Sequence, residues 1–134
     1  MIAFLAGLAG VLAGRVLIPP RTHSSELHET LHHELDLDAA QEARLDTLER
    51  QFAVRRHALE LDVRAANARL ASAIETEHGN GPRVAAAVDA SHAAMGELQK
   101  ATLEHIFAMR QILRPDQGEK FDRAVVKALT TDPR

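Results

Sequence analysis

The chain has 134 residues, and its 16 Lys and Arg stand against 19 Asp and Glu, a formal charge of −3 with histidine neutral. That is the size of one domain, and its mild acidity argues against a nucleic-acid partner, which calls for a basic face. The absence of cysteine excludes a disulfide framework, a thiolate metal site and a cysteine nucleophile. Aromatic residues are only 3%, with no Trp or Tyr, so an all-β fold is disfavoured; the abundant Ala, Glu, Leu and Arg are the composition of long helices.

Residues 1–18, MIAFLAGLAGVLAGRVLI, carry no charge before Arg15, and Pro19 and Pro20 stop any helix. About 20 apolar residues span a bilayer. Residues 1–18 therefore suffice for an inner-membrane anchor if Arg15 reaches the interface. Apart from a bland hydrophobic tail of an early or truncated start, the alternative is a cleaved signal peptide, although there is no basic start and no convincing A-x-A cleavage site. Gly10 and Gly14 suit close packing of membrane helices. Either reading exports the remainder of the chain, a linker over 19–23 and a soluble domain over 24–134.

Ser24 or Ser25 caps a first helix of about 24–35. Asp38 and Gln41 form a capping box for a second, and no Gly or Pro intervenes before Glu77. Leu45, Leu48, Phe52, Leu59, Val63, Ala66, Leu70 and Ile74 make one stripe along it. The segment His78-Gly79-Asn80-Gly81-Pro82 is a turn into a third helix, which runs to about Leu113. Its seam is Val88, Met95, Thr102 and Met109, with Ser91, Leu98, His105 and Ile112. Pro115 opens a fourth helix carrying Phe121, Val125 and Leu129. Leu37-x-x-x-Gln41 recurs as Leu113-x-x-x-Gln117, each at a helix start. The expected fold is all-α: an elongated antiparallel hairpin of two long helices, with two short flanking helices. The long apolar stripe calls for a second copy of the chain, a homodimer.

Eight histidines are many for this length. His28 and His32 are four apart on the first helix, and His105 and Met109 are four apart on the seam of the third. Each pair alone is weak, because surface histidines and core methionines are common. A hairpin turning at Asn80 sets Met109 level with residue 51 and His105 level with residue 55, within a turn of Glu49. A fold about Asp36 sets His28 near residue 44. His32 falls a turn farther, near residue 40; if the first helix slides or crosses obliquely, two helical pairs and one carboxylate converge from three helices. His23, His33, His57, His78 and His92 fall away from that place and read as solvated.

The chain resembles the periplasmic heavy-metal-resistance sensors of the nickel–cobalt type (CnrX-like), within a wider superfamily of hooked helical-hairpin stress proteins. The matching segments are Leu27-His28-Glu29-x-Leu31-His32, Glu49-x-x-Phe52-Ala53-x-Arg55-Arg56, Arg64-Ala65-Ala66-Asn67 and Leu98-Gln99-x-Ala101-Thr102-Leu103-x-His105-x-Phe107-x-Met109-Arg110. Asp38 and Arg114 depart from the wider superfamily's motif. The resemblance implies a homodimeric periplasmic sensor anchored in the inner membrane and signalling to a membrane-bound anti-sigma factor. It also implies a metal site at His28, His32, Glu49, His105 and Met109.

Imidazole, carboxylate and thioether form a borderline donor set. Five or six contacts suit nickel or cobalt better than four-coordinate zinc; copper and zinc stay open. No nucleophile–base set, phosphate loop or glycine fingerprint marks an enzyme. The rival reading is a periplasmic chaperone or metal-buffering stress protein of the same fold.

Overall fold

The computed structural model describes Glu29 and residues 32–130. The expected anchor over 1–18, the linker, His23 and His28 lie outside the described residues. The described chain is helical, with no strand among the described residues. Residues 32–34 end a first helical segment. Three helices follow: α1 (Ala39–Glu77), α2 (Pro82–Ile112) and α3 (Pro115–Thr130). Two compact units result, the hairpin Asp38–Leu113 and a second unit that joins the described residues up to Leu37 with those from Arg114.

The hairpin begins where the capping box places it. Asp38 Oδ1 accepts from the Gln41 amide at 2.8 Å, and Gln41 Oε1 accepts from the Asp38 amide at 3.1 Å. With nothing to break it, α1 runs 39 residues, about 58 Å at 1.5 Å per residue. His78 ends it in the left-handed conformation, with φ 55°, and its amide donates to the Ile74 carbonyl.

Gly81 is the N-cap of α2 and offers no capping side chain. Glu77 supplies one from the end of α1. Its two carboxylate oxygens accept from the amides of Arg83 and Val84 at 2.8 and 3.0 Å. An anion at a helix N-terminus also meets the positive end of the helix dipole. Pro115 then prevents α2 from continuing past Leu113.

The two long helices pack antiparallel near the expected register. The Ser91 hydroxyl donates to Asn67 Oδ1 at 3.0 Å, and Arg55 pairs with Glu104 at 2.7 Å. The buried line of α2 falls on Ala87, Ala101 and Met109. It lies one residue before the expected Val88 and Thr102, and the expected Met95 is exposed. Ala66 and Ala73 line the facing side of α1. Helix axes approach most closely over the smallest side chains, so alanine marks the seam here. Val54, Leu61, Ile74 and Phe107 are exposed along the hairpin.

In the other unit Leu35, Gln117 and Phe121 are buried. Asp36 breaks the first helical segment with φ 50°, a conformation that Asp tolerates better than most residues. The two Leu-x-x-x-Gln segments are more than similar caps. Gln117 Oε1 accepts from the Arg114 amide at 2.9 Å, as Gln41 accepts from Asp38. Each glutamine also donates its amide to a carbonyl at a distant helix end: Gln41 to Ile112, Gln117 to Leu35 and Asp36.

The membrane-anchored location is corrected. Among the described residues no helix is long and apolar enough to cross a membrane. Charged residues interrupt each of them, so none offers the apolar run that a bilayer core requires.

Candidate metal centre

The hairpin holds three of the five expected ligands. Glu49 lies on α1, half-buried, one turn ahead of Phe52. Across the hairpin, the His105 imidazole stacks on the Phe52 ring, with centroids 4.3 Å apart and planes within 7°. His105 therefore meets α1 one turn earlier than residue 55, the level expected; Arg55 instead pairs with the adjacent Glu104. Met109 follows His105 by one turn on α2 and is only 4% exposed.

Electrostatics tie Glu49 to His105. Burial holds the His105 pKa below its usual 6.5, the Glu49 carboxylate pulls it back up, and the Arg56 guanidinium pushes it down. The order matters. Desolvation outweighs the carboxylate, so the imidazole is biased toward its neutral form. That is the form that binds a metal ion. An imidazole and a carboxylate are a donor pair that fits a divalent transition ion.

Asp46 was not among the expected ligands. It precedes Glu49 by three residues, and the two carboxylates offer oxygens within 4.8 Å of one another. Asp46, Glu49, Arg50 and Ala53 line a shallow surface depression. The signal was the i, i+3 spacing alone, which acidic helix surfaces show often without a ligand.

His32 is half-buried at the end of the first helical segment, in the other unit. His28 lies outside the described residues. Of the histidines read as solvated, His33, His57, His78 and His92 are exposed. His78 has a structural use as the C-cap of α1.

Comparison with known proteins bears on this donor set. The profile of the heavy-metal resistance family matches residues 2–120. The nickel and cobalt resistance protein CnrR of Cupriavidus metallidurans is 42% identical over 104 residues, covering 78% of this chain and 70% of that protein. The chain, helical over its described residues, belongs to the heavy-metal resistance family.

Proposed function

We propose that the protein is a transition-metal sensor that reports nickel or cobalt and so regulates metal resistance. The reading rests above all on a hairpin of this family in which His105 stacks on Phe52, one turn from Glu49. The proposed ligands are His28, His32, Glu49, His105 and Met109. The histidines supply neutral nitrogen donors and Glu49 supplies charge. Met109 supplies a weak thioether donor that a metal preferring fewer contacts leaves out.

A signal requires a ligand that binds two conformations unequally. An ion favours whichever conformation its ligands hold better, and that difference is the signal. The proposed receiver is an anti-sigma factor, and the proposed working form is a homodimer. The exposed Val54, Leu61, Ile74 and Phe107 of the hairpin support a second copy as their cover.

Calorimetric titration with nickel, cobalt, copper and zinc chlorides tests the binding. The expected result is one site in the parent, with affinity sharply reduced in His32→Ala, Glu49→Gln and His105→Ala. Equal binding by all four proteins would refute the ligand set. A resistance-gene reporter separates a sensor from a buffer: the sensor's His32→Ala variant loses metal-dependent induction, whereas a buffer's loss raises induction.

A further inference from the structure

We infer that Phe52 is a positioning residue for the metal centre, whose ring sets the plane in which His105 presents its nitrogen. The inference rests on His105 being a ligand, as proposed above.

The lone pair of an imidazole nitrogen lies in the ring plane. A metal ion must therefore sit in that plane, and the plane's tilt decides where the ion can be. A ligand histidine is ordinarily held by a hydrogen bond from its second nitrogen to a carboxylate, carbonyl or water. Among the described residues, the aromatic contact of His105 is a parallel stack with Phe52, at 4.3 Å and 7°. Stacked rings slide and turn within their common plane at little cost, but tilting one lifts it off the other. The stack thus constrains the plane in which the ion must lie.

Phe52 is itself held. The Arg56 guanidinium carbon lies 5.9 Å from its centroid, one turn further along α1, within range of a cation–π interaction. Glu49 sits one turn before it. A single face of α1 therefore carries in succession the carboxylate ligand, the platform for the facing imidazole and the cation that steadies the platform. Phe52 offers no donor atom. It acts through His105 alone.

The test compares Phe52→Leu, which keeps apolar bulk but removes the ring face, with Phe52→Tyr, which restores the face. Each full-length protein is titrated with cobalt(II) chloride and followed by its visible ligand-field bands. The metal-free His105 ring protons are observed by NMR. The expected parent shows those protons shifted upfield by the Phe52 ring current. Phe52→Leu loses that shift, binds cobalt about tenfold or more weakly and shows altered bands. Phe52→Tyr recovers all three. A packing role alone would change the melting temperature and leave the cobalt bands as they were. Parent-like affinity and bands in Phe52→Leu would overturn the positioning role while leaving the metal site intact. Failure of the parent to bind cobalt or nickel would overturn the metal reading itself, and this inference with it.

Discussion

The Gln117 side-chain amide donates to the Leu35 carbonyl at 2.8 Å, joining residues 82 apart in sequence. The same amide reaches the Asp36 carbonyl at 3.3 Å, while its oxygen caps the start of α3 through the Arg114 amide. Gln117 is 2% exposed. One side chain therefore satisfies the beginning of one helix and the end of another, and water has little access to replace it.

Gln117→Ala is expected to cost about 1–3 kcal/mol, because it leaves buried polar groups without their partner. Gln117→Glu keeps the acceptor for Arg114 but removes both donations to the Leu35 and Asp36 carbonyls. It is expected to destabilise comparably, which shows that the donation matters more than the cap. Urea unfolding of the three proteins decides this. A Gln117→Glu variant as stable as the parent at pH 7 would refute it.

Gly81 and Glu77 are expected to be coupled. A Cβ at residue 81 would collide with the Glu77 carboxylate, which caps the amides of Arg83 and Val84. The glycine backbone itself is unstrained, with φ −95°. Gly81→Ala is thus expected to destabilise by evicting the carboxylate, at about the 0.5–2 kcal/mol of a lost N-cap. In a Glu77→Ala background the same change should cost far less. Thermal unfolding of the four proteins in the cycle measures the coupling; additive losses would show that the cap is not what Gly81 protects.

Much of this architecture was legible in the residues, and the reasons differ from element to element. The start of α1 was readable because a capping box is a local arrangement, complete within Asp38 to Gln41. The turn was readable because Gly79 to Pro82 can hardly continue a helix. The seam of α2 held at Met109 but shifted by one residue at Val88 and Thr102, since hydrophobicity favours Val88 over Ala87 whereas close helix packing favours alanine. The repeated Leu-x-x-x-Gln showed only its capping half. Its other half, the donations to Ile112 and Leu35, spans 71 and 82 residues. Hairpin arithmetic found Glu49 opposite His105 to within a turn. The stack with Phe52 could not be read, because ring orientation depends on side-chain rotamers that spacing does not encode.

Acid should destabilise the metal-free protein through His105. Burial lowers its pKa below the ordinary 6.5. As pH falls through about 6.5, the unfolded chain takes up a proton that the folded chain refuses. Stability is therefore full above that pH and declines below it, until the folded protein also protonates. His105→Phe preserves a ring for stacking but cannot titrate. Its stability is expected to vary less between pH 7.5 and about 5.5 than the parent's. Identical pH profiles would contradict the assignment. Metal affinity should fall over the same interval, because a protonated imidazole cannot ligate.

Met109 poses the sharpest separation of packing from ligation. At 4% exposure it fills the hairpin seam, yet it stands one turn from His105 and offers a thioether. Met109→Ala would disturb both roles together, leaving a cavity that costs about 2–5 kcal/mol. Met109→Leu nearly conserves volume, costs under about 1.5 kcal/mol and removes only the sulfur. If the thioether is a ligand, Met109→Leu should bind nickel and cobalt more weakly and change the visible spectrum of the cobalt form. A metal satisfied with fewer contacts should be affected less, so preference among the four ions should narrow. Parallel titrations with nickel, cobalt, copper and zinc provide the comparison. Unchanged affinities and an unchanged cobalt spectrum in Met109→Leu would make Met109 a core residue only and restrict the ligands to imidazole and carboxylate.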